Sequence, residues 1–577
     1  MCGIAGIIGA TDEAAARALI APLAHRGPDG IRVETVGGAT LAHARLSIID
    51  LEHGWQPLHA AGSTVVGNGE IYNYLELIEA FALKDKLTTG SDFEPLLHLY
   101  ALEGEKAFDR LRGMYAFCLV GHDGRTWLVR DPFGIKPLYF RQDGPDVITF
   151  ASEPRSLRPS KPRLDAARVD QLLSLNYTLD SGVQAVPASI YQGVCRLAPS
   201  TALMVTPDEQ TLHYLYPNRE PGPLPRGDDE TVDRFDQLFE DSVRVHQRSD
   251  VPYGLFLSGG IDSSAIATMM VRLNQRPVTA FTCGFDAPNA RDERAHAETV
   301  AKALNLDWRE TTFGEDDFWR IAPLVAGALD DPTTDYATLP TYKLAEAAKD
   351  TLTVVLSGEG GDELFAGYGR YRRAMRPWWQ GGRPAEPRID APFLKDGGRA
   401  ALKRWRAYGS WAPEQSALLT AQLRDLYTWL PNDLLLKLDR CLMAHGLEGR
   451  TPFLDGPLAA FAVNLPDHFR IRDDHGKWIV RKWLERHCPA ADPWAKKKGF
   501  TVPVADWIAP RAADLGPRVA AVQGVAEACK PGAALAVFTD ARQASNRWPL
   551  LFYALWWTIH VGGATPAEAA EAVFGRV

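Results

Sequence analysis

The earliest position in this chain that can carry chemistry is Cys2. In Met1-Cys2-Gly3-Ile4-Ala5-Gly6-Ile7, loss of one methionine would leave Cys2 with both a nucleophilic sulfur and a free α-amino group. An α-amine has a reference pKa near neutrality, so it can take a thiol proton and return it to a leaving amine. On its own the dipeptide fits a small buried hydrophobe equally well.

A second set of groups begins at Leu257-Ser258-Gly259-Gly260-Ile261-Asp262-Ser263-Ser264. An apolar run delivers hydroxyls, two glycines and a carboxylate to a turn that opens a helix, where free backbone N–H groups and hydroxyls can surround an anion. Asp262 would repel a phosphate unless a cation lay between them, and magnesium is the simplest choice. The GKS ending of a Walker loop is absent. The run Leu356-Ser357-Gly358-Glu359-Gly360-Gly361-Asp362-Glu363-Leu364-Phe365-Ala366-Gly367-Tyr368 repeats the plan with three carboxylates in five residues. That density is unfavourable without cations or positive ligand groups. Asp362 could hold a metal, Glu359 could accept a proton from an attacking amine, and Glu363 could cap or support the next helix. Lys497, before Gly499-Phe500-Thr501-Val502-Pro503, could supply positive charge to a phosphate, or could be solvated surface within its run of three lysines. The stretch from Asp439 to Asp455, with Arg440 and Arg450, either lines a substrate cleft or packs a helix and its turn.

These groups need two different scaffolds. Up to about residue 210 the chain is dense in short β-rich runs, among them Ile31 to Val36, Tyr115 to Val120, Thr126 to Val129 and Val147 to Ala151, with a helical period between Asp92 and Leu111. An α+β layered domain with antiparallel sheets is predicted. The Pro-rich segment from Pro217 to Pro225 reads as a linker. Beyond it, a helix over Glu230 to Gln247, a strand over Val251 to Leu257, a helix over Ser263 to Arg272, a strand over Thr279 to Phe285, a helix around Arg291 to Asn305 and a strand over Thr353 to Leu356 alternate. That alternation predicts a doubly wound parallel sheet with ligands at the C-terminal ends of its strands. After about residue 395 the chain reads as helical, and Pro377 to Arg399 as a surface excursion.

Composition sets further bounds. With 577 residues and 46% hydrophobic content the chain can bury more than one core. Seven dispersed cysteines without a CxxC pair argue against a zinc knuckle and for a reducing, cytoplasmic setting. No signal peptide is expected. The apolar run Leu550 to Val561 falls short of bilayer length and reads as a buried helix, so no membrane partner is expected. A formal charge of −9 gives no global case for nucleic acid.

Taken together, Cys2-Gly3-Ile4-Ala5-Gly6, His25 to Gly30, Arg45-Leu46-Ser47-Ile48, Asn68-Gly69-Glu70-Ile71-Tyr72-Asn73 and Ser91-Asp92 resemble the glutaminase domain of class II amidotransferases. The turns at Ser258 to Ser264 and Ser357 to Tyr368, the run Arg450 to Asp455 and the Lys497 region resemble the ATP pyrophosphatase domain of glutamine-hydrolysing asparagine synthetase. The resemblance spans nearly the whole chain. It implies an N-terminal α+β Ntn-type glutaminase sandwich over 1–210, a linker over 211–229 and an α/β adenine nucleotide alpha hydrolase-like domain over 230–577. It also implies that Cys2 attacks the amide of glutamine, with Asn68 and the Gly69 N–H as oxyanion hole, Arg45 on the glutamine carboxylate, and Glu70 and Asp92 on its α-ammonium. Ammonia would pass internally to a second site. There ATP and Mg²⁺, held by Leu257, Ser258, Gly259, Gly260, Asp262, Ser263, Ser264, Ser357, Gly358 and Asp362, would convert a carboxylate to an acyl adenylate. Glu359 and Lys497 would assist amine attack and stabilise charge. Asp262 and Asp362 are the implied metal ligands, and homodimerisation is a further expectation from the family.

Aspartate is the acceptor that the resemblance implies first; a different carboxylate in specialised metabolite or surface-polysaccharide biosynthesis is the alternative. Departures from the family pattern bear on this choice. Asp331 stands where many relatives have Glu, Tyr336 and Ala337 replace small hydroxyl residues, His445-Gly446 replaces a pair commonly including serine, and Gly449 sits where alanine is frequent. A one-methylene change in a pocket is worth about 1–3 kcal/mol of discrimination. Intramolecular closure of the β-lactam synthetase kind is disfavoured, because those relatives lack the N-terminal thiol.

Overall fold

The computed structural model describes residues 2–179, 188–215, 224–286, 293–408, 415–496 and 502–575. Among the described residues of the N-terminal half, twelve strands form two six-stranded sheets. They are β1 Gly3–Ile8, β2 Gly30–Val36, β3 Ala39–Arg45, β4 Leu58–Ala60, β5 Ser63–Ile71, β6 Gly113–Val120, β7 Thr126–Arg130, β8 Tyr139–Gln142, β9 Ile148–Ala151, β10 Cys195–Arg196, β11 Thr201–Val205 and β12 Gln210–Tyr214. The sheet orders are β10-β8-β9-β1-β3-β2 and β12-β11-β7-β6-β5-β4. The neighbours pair antiparallel, as in the β1/β3 and β5/β6 registers.

The sheets pack face to face through Ile4, Ile8 and Leu41 from one and Val66, Ala116, Cys118 and Leu128 from the other. The outer face of the first sheet carries Ala5, Ala42 and Ala44 against Ala16 and Ile20 of the helix Glu13–Ile20. The second covers Phe117 and Trp127 with Leu96, Leu97 and Tyr100 of the helix Glu94–Glu103. A helix–sheet–sheet–helix order results.

The C-terminal half is built on a parallel sheet of β13 Tyr253–Phe256, β14 Thr279–Phe285, β15 Asp307–Phe313, β16 Val354–Leu356 and β17 Glu448–Arg450, in the order β15-β14-β13-β16-β17. From β13 the chain proceeds to β14 on one side, whereas β16 lies on the other. The turns after β13 and β16 therefore part at a topological switch point, where sheets of this type open a crevice. The helix Arg547–His560 is buried, with Trp556 Nε1 donating to Leu329 O at 2.8 Å. Among the described residues, no helix is long and apolar enough to cross a membrane.

The halves share apolar clusters; in one of them Leu46, Ile48, Tyr72 and Met114 meet Phe239, Leu255 and Met443, and in another Tyr139 meets Leu329 and Trp556. Around them run buried ion pairs: Arg26–Asp439, Arg196–Asp331, Arg112–Asp455 and Arg450–Glu70.

The structure corrects one expectation. The segment from Pro377 to Arg399 is not wholly a surface excursion, because Ala391, Phe393 and Leu394 join the core and Leu394 bridges Cys529. Its Gly, Pro and charge content hid these inward-facing apolar residues.

Candidate active site

Cys2 enters β1 beside the end of β3, because Gly3 pairs with Ala44 and the register brings Arg45 alongside. Its Sγ lies 3.7 Å from Leu46 O, and its backbone N–H donates to Asn68 Oδ1 at 3.3 Å. Burial pushes the thiol pKa up, so the sulfur is held as a thiol until a base takes its proton. Asn68 is wholly buried, and with Oδ1 turned to Cys2 its Nδ2 has no partner among the described residues. A buried amide N–H left free is costly, which marks it as a donor awaiting an acceptor.

Gly69 follows at φ 130°, and a Cβ there would meet Met114 O at 2.0 Å. Only glycine lets β5 press against β6 at this point. The same strand supplies Glu70, buried and with Oε2 unpartnered, and its Ile71 N–H donates to Asp92 Oδ2 at 2.7 Å. Burial raises the Asp92 carboxyl to about 7 and pushes Glu70 well above the carboxylate range. Both would ionise readily beside a cation. Across the site, Arg45 is oriented by Leu51 O at 3.1 Å and Asp50 O at 2.5 Å and lies over the Trp55 ring at 4.8 Å. One strand and the residues it pins thus gather a thiol, an amide donor, two carboxylates and a guanidinium.

The second constellation lies in the crevice at the switch point, a cavity of about 460 Å³. Leu257, Ser258, Gly259, Gly260, Asp262, Ser263, Ser357, Gly358, Glu359 and Asp362 all line it. Ser258 Oγ sits 3.1 Å from Ser263 Oγ and accepts from Gly260 N at 3.2 Å. Ser264 does not belong to this lining. It is fully buried on the helix Ile261–Leu273, because it lies on the helix face turned to the core. The two turns touch closely, since a Cβ on Gly361 would meet Asp262 Oδ1 at 2.5 Å.

Lys477 joins Asp262 and Asp362. Its Nζ contacts Asp262 Oδ2 and lies 2.7 Å from Asp362 Oδ1, and these carboxylates raise its pKa against the effect of burial. Among the described residues no group of three or more His, Cys, Asp and Glu could hold a metal. Two carboxylates alone fit a magnesium ion that completes its shell with phosphate oxygens and water. On the other wall Glu359 Oε1 lies 3.4 Å from Lys437 Nζ, which also approaches Asp335 Oδ2 at 3.5 Å. Burial raises the Glu359 pKa, suiting it to receive a proton. Glu363 supports its surroundings instead, accepting from Tyr368 Oη at 2.5 Å.

Sequence reasoning missed Lys437, Lys477 and Arg481, which line the cavity. A charge inside the apolar run Leu434-Leu435-Leu436-Lys437-Leu438 was a usable signal. The predicted Lys497 lies outside the described residues, whereas Lys496 lines the cavity.

The departures fall mostly elsewhere. Asp331 is fully buried under Arg196 and Tyr139 Oη, the latter at 2.7 Å, so its shorter side chain fits an interface between the halves and not the cavity. His445 packs edge-on against Tyr342 at 4.4 Å. A Cβ on Gly449 would meet Leu438 Cγ at 3.0 Å. Neither these nor Tyr336 lines the cavity; Ala337 does.

Comparison with known proteins gives two family matches. The glutamine amidotransferase domain family matches residues 1–216, and the asparagine synthase family matches residues 234–557. The chain is 32% identical to asparagine synthetase [glutamine-hydrolyzing] 1 of Bacillus subtilis (strain 168) over 567 residues, covering 88% of each chain. It is 28% identical to asparagine synthetase B [glutamine-hydrolyzing] of Escherichia coli (strain K12), covering 87% of this chain and 82% of that one.

Proposed function

The chain belongs to the glutamine-hydrolysing asparagine synthetase family, and from that membership we propose the residue roles and the acceptor of its ATP-dependent amide synthesis. Cys2 Sγ attacks the side-chain amide carbon of glutamine after Met1 is removed, its α-amine taking the thiol proton and passing it to the leaving nitrogen. The C–N bond breaks, ammonia departs, and water hydrolyses the thioester to glutamate. The free Asn68 Nδ2 and the Gly69 N–H receive the oxyanion, Arg45 holds the substrate carboxylate, and Glu70 with Asp92 holds the α-ammonium. The observation that carries this reading is the orphaned Asn68 Nδ2 beside the residue whose thiol would build negative charge there.

In the crevice, a carboxylate of the acceptor attacks the α-phosphorus of ATP and displaces pyrophosphate. Ammonia from the first site then attacks the acyl carbon, Glu359 takes a proton and AMP leaves. Mg²⁺, when bound, neutralises phosphate charge, and Asp262 and Asp362 are the residues that would hold it. Ser258, Gly259, Gly260, Ser263, Ser357 and Gly358 cradle phosphate through hydroxyls and N–H groups, and Lys477 offers a cation beside them. Lys497 is kept in its implied role from sequence alone.

Asparagine, which the names of the relatives give as the product of those proteins, is the proposed product, and aspartate is the proposed acceptor. The layered sandwich with Cys2 immediately before a central strand supports the Ntn-type assignment, and the parallel sheet with its switch-point crevice supports the adenine nucleotide alpha hydrolase-like one. We place the domains at 1–210 and 230–577. A different carboxylate acceptor is favoured by one observation, that Ala337 presents a methyl group to the cavity. The test is an acceptor screen with glutamine and ATP, read by the mass of the amidated product. Asparagine is expected, and turnover of another acid without asparagine overturns the aspartate assignment.

A further inference from the structure

Arg450 ends β17 and touches a residue of each constellation. Its carbonyl accepts from Ser357 N at 2.8 Å, the bond that starts the turn Ser357 to Gly360 in the crevice. Its guanidinium is fixed on three sides by its own half. Nε donates to Glu448 Oε1 at 2.6 Å, and Nη1 donates to His246 O at 2.9 Å and Arg248 O at 2.7 Å. Nη2 faces the other half, 3.5 Å from Glu70 Oε1, and has no hydrogen-bond partner among the described residues.

We propose that Arg450 is a positioning residue through which the state of the nucleotide turn sets the affinity of the glutaminase site for glutamine. The inference rests on the proposed role of Glu70 as a ligand of the glutamine α-ammonium. A guanidinium is a planar fork with fixed donor directions, so movement of the strand end carries Nη2 with it. Glu448 pairs with the Arg450 guanidinium at 2.6 Å and competes with Glu70 for it, which leaves Glu70 accessible to a substrate cation. Nucleotide in the crevice bears on Ser357, and a shift at the Ser357–Arg450 bond changes how strongly Nη2 competes with that cation for Glu70. Both ends of the relay are one residue, with no intervening side chain to loosen the connection.

The test measures glutamate release against glutamine concentration, with and without ATP and Mg²⁺. In the unsubstituted protein ATP shifts the glutamine KM by about fivefold or more, the lower end of ordinary site-to-site coupling. In Arg450→Lys, which keeps a charge but lacks the fork, the ATP effect on KM is lost while ammonia-driven AMP formation persists. If the single variant does not fold, the pair Arg450→Gln with Glu448→Gln removes both buried charges together and is measured in its place. An absent ATP effect in the unsubstituted protein overturns the proposal, as does an ATP effect that survives in the folded variants. Glu70→Gln separates the two levels. An unchanged glutamine KM in that variant sinks the glutamine-site reading itself, whereas a raised KM beside an inert Arg450→Lys sinks only the relay.

Discussion

Arg26 Nε donates to the backbone carbonyl of Cys2 at 3.3 Å. Its two terminal nitrogens reach Asp439 of the helix Leu435–Met443 at 2.8 and 3.0 Å. The proposed nucleophile is thereby located by a carboxylate that lies 413 positions away from Arg26 in sequence and belongs to the other half. Asp439 is in turn flanked by Arg440, which pairs with Asp330 at 3.0 Å.

Breaking this clamp should misplace Cys2. Asp439→Asn leaves the Arg26 guanidinium with Glu153, 2.8 Å from Nη1, as its remaining carboxylate, at a cost of about 1–3 kcal/mol in stability, and glutamate release should fall by about 100-fold from loss of alignment. Arg26→Met combined with Asp439→Leu should recover much of the stability and none of the alignment. Thermal unfolding and glutamate release measure the two effects separately; parallel recovery of both would reject a positioning role.

Asn68→Ala removes the unpartnered donor. The kcat for glutamate release should fall by about 10²–10³-fold with a much smaller change in KM, the signature of a group that acts on a developing oxyanion. Equal loss in kcat with ammonia supplied in place of glutamine would place Asn68 in a structural role.

Glutamine use should depend on pH through Asp92, which burial raises to about 7. Only the ionised carboxylate attracts an α-ammonium. Lowering the pH through that value therefore protonates it and weakens binding, and raising the pH restores binding. Below about pH 7, kcat/KM for glutamine should fall by up to about tenfold per pH unit, and Asp92→Asn should lack this limb at a lower overall rate. A profile unaltered by Asp92→Asn would assign the limb to another group.

Lys477→Met should separate the two half-reactions. It leaves Asp262 and Asp362 facing each other without their shared cation, so pyrophosphate release should drop by about 100-fold or more while glutamate release in the absence of ATP continues. Chelation of Mg²⁺ should give the same split. Loss of both activities in a folded variant would contradict the separation of the sites.

Asp331→Glu installs the residue that the resemblance leads one to expect at this position. Because Asp331 is fully enclosed by Arg196 and Tyr139, the added methylene should cost about 1–3 kcal/mol in stability and leave the ranking of acceptors unchanged. A changed acceptor ranking would return this position to the substrate pocket.

The site residues legible in sequence were those that sit in contiguous motifs, because a turn or one strand brings them together. Asn68, Gly69 and Glu70 are consecutive, and Ser258 to Ser263 form a single strand-to-helix turn. Ser264 was legible as a hydroxyl but not as an inward-facing one, since its direction depends on the helix that follows. The parallel sheet was visible from strand–helix alternation, because each strand there is followed by a helix of its own. Partners separated by hundreds of residues left no local trace. Lys437, Asp439 and Arg440 gave only the hint of charges inside an apolar helix, and their counterparts emerged from the docking of the two halves.

The ion pairs across the interface also set what can be transplanted. Arg26, Arg112 and Arg196 of the first half find their carboxylates in Asp439, Asp455 and Asp331 of the second. An excised N-terminal half would strand Arg112 and Arg196 and leave Arg26 with Glu153 as its carboxylate, and a hybrid with a foreign glutaminase would bury three carboxylates against unmatched surface. The unit of exchange in protein engineering is therefore the first half together with Asp331, the helix Leu435–Met443 and the turn that ends at Asp455, although the chain reaches them only after more than one hundred further residues.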